Sequence, residues 1–271
     1  MTCIYIFIFF LSGLLSGKLL NLLADAATAE EGRWGGTVLS SGCKTKRTVV
    51  ALLPLAGFFL NSTACSHCCK PIPLRVPLVE LLTGVAFAFL FGMYGWSLEL
   101  PVLIIFSSLF ITLFITDIEH TLLPNVITYP CMGIAVLIAL LITLLNIQPQ
   151  WAYRFSENGF LSILNIYIVN AVAGGLCGFL FFLVVALIFR GGMGFGDVKL
   201  AALMGLAMGL PTLLVAVFLG IVGGGLVAAI LLIAKLKKRK EAIPFGPFLC
   251  LASIVALMWG KAILAWYLNL A

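Results

Sequence analysis

Long apolar runs separated by short polar stretches dominate the chain. The runs are continuous and do not alternate with polar positions, so they predict helices and not the strands of a barrel. Eight stretches read as membrane spans: 4–23, 78–96, 101–116, 125–146, 161–189, 198–210, 212–234 and 246–268. About 20 mostly apolar residues cross a bilayer as a helix, and a helix satisfies its own backbone groups in lipid. The run 198–234 is too long for one span, and Pro211 is expected to break it. Its first piece is short and glycine-rich, and reads as tilted or partly re-entrant. The predicted fold class is all-α: a polytopic membrane protein of about eight transmembrane helices. The polar segment after the first helix predicts a small cytoplasmic loop subdomain. The expected division is 1–77, the first helix with a cysteine-containing segment, and 78–271, a membrane-embedded domain.

Composition agrees with a lipid environment. Of 271 residues, 63% are hydrophobic and 10% charged, against about a quarter charged in soluble domains. The net charge of +6 is unevenly placed. Segment 24–77 holds Arg33, Lys44, Lys46, Arg47, Lys70 and Arg75, and segment 235–245 holds Lys235, Lys237, Lys238, Arg239 and Lys240. Basic loops stay on the cytoplasmic side. The loops near 97–100 and 147–160 carry only Arg154 as a basic residue and suit the outer side. Eight spans satisfy this with both termini outside. The basic residues lack an aromatic-interleaved groove, so no nucleic-acid partner is expected. The first run has no basic residue before it and no small-residue cleavage site, and reads as a retained helix.

This topology puts the loops 117–124 and 190–197 on the cytoplasmic side. Each holds an aspartate, and the chain has only three: Asp25, Asp117 and Asp197. Asp25 reads as an ordinary interfacial residue. An acid near the bilayer interior costs about 2.5–3.5 kcal/mol on insertion scales, so the other two invite a functional reading. Asp117 also reads as a polar helix end, and Asp197 as an N-cap, a position aspartate fills well. Gly191, Gly192, Gly194 and Gly196 beside Asp197 argue for more than a cap. Glycines allow close backbone or substrate approach. Unwound backbone at membrane depth is tolerated only in protein or at a wet cavity.

Two neighbouring carboxylates share a proton, as in the aspartic-protease dyad. One then acts as base on water while the protonated partner polarises a carbonyl. Competing chemistry is missing: the sequence has no Gly-x-Ser-x-Gly and no His-Glu-x-x-His. Its two histidines, His67 and His120, are too few for a three-ligand zinc hydrolase.

At these residues the sequence resembles the bacterial type IV prepilin peptidases. Gly194-Phe195-Gly196-Asp197-Val198-Lys199-Leu200 is similar to their Gly-x-Gly-Asp motif. Asp117-Ile118-Glu119-His120 with Leu122-Leu123-Pro124-Asn125 resembles the segment holding their first catalytic aspartate. Arg75 to Gly84 resembles the entry to their second span, and Ile243 to Leu249 the entry to their last. The resemblance implies an endopeptidase, with 78–271 as its peptidase domain. It implies cleavage of the charged leader of prepilins and pseudopilins on the cytoplasmic side of the bacterial inner membrane. It carries over Asp117 and Asp197 as catalytic, with Gly194, Gly196, Lys199 and Glu119 as supporting motif residues. Lys199 reads either as tuning a nearby aspartate or as snorkelling to headgroups. The resemblance requires no cofactor for peptide cleavage. Many family members also methylate the new N-terminus with S-adenosylmethionine.

The cysteines separate into two groups. Cys3, Cys131, Cys177 and Cys250 lie in apolar runs and read as small core residues. In the polar segment, bifunctional family members carry two Cys-x-x-Cys pairs suited to zinc. Here Cys65 and Cys68 match the second pair, Lys46 replaces the partner of Cys43, and Cys69 or His67 stands by as a fourth ligand. A zinc site of Cys43, Cys65, Cys68 and Cys69 and a metal-free reduced loop both remain open. Gly17-Lys18-Leu19-Leu20-Asn21 also departs from the family's Gly-Ser-Phe-Leu-Asn. These departures tell against methyl transfer and leave peptidase activity untouched. The other readings are a different Gly-x-Gly-Asp intramembrane protease, a transporter, or a non-catalytic scaffold.

Overall fold

The computed structural model describes residues 2–30, 74–152, 160–188, 194–235 and 244–270. The cysteine-containing segment with Cys43, Cys65, Cys68 and Cys69 lies outside the described residues, as do Gly191 and Gly192. The described residues form helices and their connections: α1 (Thr2–Glu30), α2 (Arg75–Tyr94), α3 (Leu100–His120), α4 (Asn125–Leu144), a 3-10 turn (Phe160–Asn165), α5 (Tyr167–Ile188), α6 (Phe195–Met208), α7 (Leu210–Ile233) and α8 (Gly246–Leu270). Seven of these helices are long and apolar enough to cross a membrane. The eighth expected span is α6, whose 14 residues fall short of that length. The chain is a multi-pass, all-helical membrane protein.

Two compact units divide the chain, Met1–His120 and Thr121–Ala271. In the first, α1 lies closely against α2. A methyl group on Gly13 would sit 2.7 Å from the Gly84 Cα, and one on Gly17 would sit 2.7 Å from the Glu80 Cα. Small residues let two helix backbones approach in lipid, where no hydrophobic force draws them together. Phe9 stacks on Phe91 with ring centroids 4.5 Å apart, and Trp96 packs edge-on against both. Ala24, Val79 and Ile115 form a buried layer that joins all three helices.

In the second unit, α6 is surrounded by α4, α5, α7 and α8. Its residues from Leu200 to Gly205 are all buried. The approach of α5 to α6 is again made by glycine: a Cβ on Gly178 would lie 2.5 Å from the Ala201 carbonyl oxygen, and one on Gly205 would overlap the Gly174 carbonyl. The break after α6 falls at Gly209, not at Pro211. Gly209 has φ +79, and Pro211 sits in the first turn of α7, where its missing N–H is no loss. The Asn170 side chain accepts the Leu210 N–H at 2.8 Å and so holds the break. The expected span 161–189 also divides, into the 3-10 turn and α5.

Candidate active site

Asp117 occupies the last turn of α3 and is 6% exposed. Ser108, Thr112 and Thr116 form a polar stripe on another face of the same helix: Thr112 donates to the Ser108 carbonyl at 2.9 Å and Thr116 to the Leu113 carbonyl at 3.0 Å. These hydroxyls are satisfied inside their own helix, so the stripe costs little in an apolar surrounding. Thr121 follows the helix with φ +50, a left-handed conformation that is an outlier for a β-branched residue.

Glu119 lies two residues beyond Asp117 and forms an ion pair with Arg75, the first residue of α2. Arg75 also reaches Asp25 of α1 at 2.7 Å. His120 Nε2 stands 3.7 Å from the Glu119 carboxylate. Asn21 of α1 donates to the Val76 carbonyl at 3.4 Å and to Gly17 at 3.1 Å. Asp25 is thus an ion-pair partner inside the first unit, a role beyond that of an ordinary interfacial residue. Glu80 is a second acid the sequence reading did not single out; it is 3% exposed in an apolar helix. Its signal was available, since a charge four residues into an apolar run is costly to bury without purpose.

In the second unit, Asp197 is half-buried at the third position of α6. The N-cap is Gly194, with extended backbone at φ −77 and ψ 145, and the Asp197 N–H donates to its carbonyl at 3.1 Å. The expectation of Asp197 as the cap is therefore corrected. An acid in the first turn still gains from the helix dipole, by about 0.3–1 kcal/mol. Gly196 packs on Leu123, which a Cβ would approach to 3.2 Å. Lys199 donates to the Asn125 side-chain oxygen at 2.6 Å, and its ammonium lies 5.2 Å from the Tyr129 ring centre.

Of the core cysteines, Cys131 and Cys250 are buried, Cys177 is half-buried, and Cys3 is exposed. Cys3 is corrected from a core residue to one on the outer face of α1. Among the described residues, no cluster of three His, Cys, Asp or Glu side chains could hold a metal ion.

The far end of α6 is anchored by a buried polar chain. The Trp151 indole donates to the Tyr167 hydroxyl at 3.0 Å, which donates to the Ala207 carbonyl at 2.9 Å. Thr212 donates to the Trp151 carbonyl at 2.8 Å. The short helix carrying Asp197 is thus held at its start by Lys199 and at its end by Tyr167.

Fold and site together define a class: a multi-pass helical membrane protein with an acid at the end of an apolar helix in each compact unit. Comparison with known proteins is more specific. The Type IV leader peptidase family matches residues 104–229, and the Bacterial Peptidase A24 N-terminal domain matches residues 11–94. A Bacillus subtilis protein named prepilin leader peptidase/N-methyltransferase is 32% identical over 233 residues, covering 84% of each chain. Proteins of the same name from Aeromonas hydrophila and Legionella pneumophila are 31% and 28% identical, covering 84% of this chain and 73% and 74% of theirs. No solved structure matches the chain. The chain belongs to the type IV leader peptidase family, and it is a peptidase.

Proposed function

We propose that the protein is a membrane endopeptidase that removes the leader peptide of prepilins or pseudopilins by a two-aspartate mechanism. The carrying observation is the buried Asp117, 6% exposed, at the end of an apolar helix, within the stretch that matches the peptidase family. Asp197, in the same matched stretch, is its partner. One ionised carboxylate takes a proton from water, and the protonated one hydrogen-bonds the scissile carbonyl. The hydroxide adds to the carbonyl carbon as the protonated carboxyl gives its proton to the carbonyl oxygen, and a gem-diol forms. The carboxyl that took the water's proton then gives it to the leaving nitrogen while the other takes one from the gem-diol, so the C–N bond breaks and the pair again holds one proton. The relatives' printed name supports a prepilin substrate. The basic segments 24–77 and 235–245 support a site on the cytoplasmic side of the bacterial inner membrane.

Gly194 leaves room for the substrate backbone to approach Asp197, whereas the space beside Gly196 is taken by Leu123. The same relatives are also named N-methyltransferases, and S-adenosylmethionine would be the methyl donor for that activity. Lys46 in place of a cysteine and Lys18 in the first span support a weak second activity at most. No peptidase step passes through S-adenosylmethionine or through zinc at Cys43, Cys65, Cys68 and Cys69.

The test is cleavage of a prepilin by membranes bearing Asp117→Asn or Asp197→Asn. Each substitution should lower the rate by about a thousand-fold or more, as loss of one member of a catalytic unit does, while insertion is unchanged. Full activity in either variant rejects the mechanism.

A further inference from the structure

The geometry points to Arg75 as a positioning residue that fixes the helix end carrying Asp117. This rests on the reading of Asp117 as catalytic, and it adds a residue to which that reading gives no role.

Arg75 joins three helices at one place. Its two terminal nitrogens are divided between Asp25 on α1 and Glu119 on α3, and Arg75 itself opens α2. The Arg75 and Asp25 side chains are 12% and 10% exposed, and Glu119 is 27% exposed. Directly inside this charged layer lies the apolar layer of Ala24, Val79 and Ile115. Each apolar residue is tied by spacing to a charged one: Ala24 precedes Asp25, Val79 is one turn after Arg75, and Ile115 is one turn before Glu119.

The two layers do different work. Apolar contacts are non-directional, so the inner layer alone does not set how α3 is rotated against the glycine-locked pair of α1 and α2. Ion pairs taken largely out of water add little net stability, and their best-attested use is to specify register. A planar guanidinium has a fixed fork of donors, so it can hold two carboxylates in one geometry where an ammonium cannot. Asp117 is two residues from Glu119, on the same final turn of α3. A rotation or fraying of that turn would carry the Asp117 carboxylate with it. Misplacement by about 1 Å is enough to cost two orders of magnitude in rate.

The experiment uses the full chain in native-like membranes, with a prepilin substrate and rates normalised to folded protein recovered after extraction. Arg75→Met keeps the apolar stem and removes the fork. It should lower kcat at least tenfold with KM within twofold of the parent. Arg75→Lys should recover part of that loss. Glu119→Gln, at the more exposed partner, should lower kcat in the same way and guards against a misfolded Arg75→Met. Unchanged kcat in Glu119→Gln overturns the proposal, as does a change confined to KM, or a loss that merely follows the folded fraction. Asp117→Asn and Asp197→Asn are run alongside. If these stay active, the two-aspartate reading fails and takes the positioning role with it. If they are inactive while Arg75→Met and Glu119→Gln are fully active, only the positioning role fails.

Discussion

Lys199 donates to the Asn125 side-chain oxygen across 2.6 Å, so the first turns of α6 are fastened to the first residue of α4. The Tyr129 ring lies under the same ammonium, one turn further along α4. Lys199 is two residues from Asp197 and thus marks where the second acid's helix is held.

Replacing Lys199 with Met should therefore loosen the start of α6 without unfolding the protein. A partly exposed charge-assisted hydrogen bond contributes about 1 kcal/mol, so a rate loss of about five-fold is expected. Asn125→Ala should do the same, and the double variant should be no worse than either single. The measurement is a double-mutant cycle on cleavage rate; fully additive losses would show that the pair is not coupled.

Gly205 should tolerate no side chain. A Cβ there would overlap the Gly174 carbonyl, which is backbone and cannot move aside. Overpacking of this kind costs about 1–3 kcal/mol. Gly205→Ala should lower the melting temperature in detergent, whereas Gly223→Ala, which meets nothing within 4 Å, should leave it unchanged or raise it.

Tyr167→Phe should destabilise through polarity, since it keeps the ring. It removes the acceptor of the Trp151 indole N–H and the donor to the Ala207 carbonyl. A buried polar group left unsatisfied costs about 1–3 kcal/mol. Thermal unfolding should fall markedly for Tyr167→Phe, with the far end of α6 losing hydrogen-exchange protection first.

Methyl transfer should be weak compared with cleavage. The motif departures at Lys18 and Lys46 both fall in the part of the chain ahead of α2. Incubating cleaved product with radiolabelled S-adenosylmethionine should give little label; robust labelling would show that those two positions are no handicap.

The helices were legible because lipid demands long apolar runs, and that demand is local to each segment. The position of Asp117 at a helix end was legible for the same reason: a charge closes an apolar run. Exact boundaries were not. Gly209 is one of many glycines in the sequence, and only its Asn170 partner and its positive φ mark it as the break. Pro211 looked like the breaker because proline disrupts helix interiors, yet in a first turn it disrupts nothing. Asp25 and Arg75 stand fifty positions apart, and no periodicity links them. Their pairing follows from the glycine-mediated contact of α1 with α2, a three-dimensional fact. The same holds for Lys199, whose partners lie on another helix.

The length of α6 has a physical corollary. Fourteen residues rise about 21 Å at 1.5 Å each, whereas a hydrocarbon core is about 30 Å thick. α6 is enclosed by four other helices, and a helix about 9 Å shorter than the hydrocarbon core is tolerated where protein, not lipid, covers its ends. Such a length is open to a helix with protein around it and closed to one that faces acyl chains.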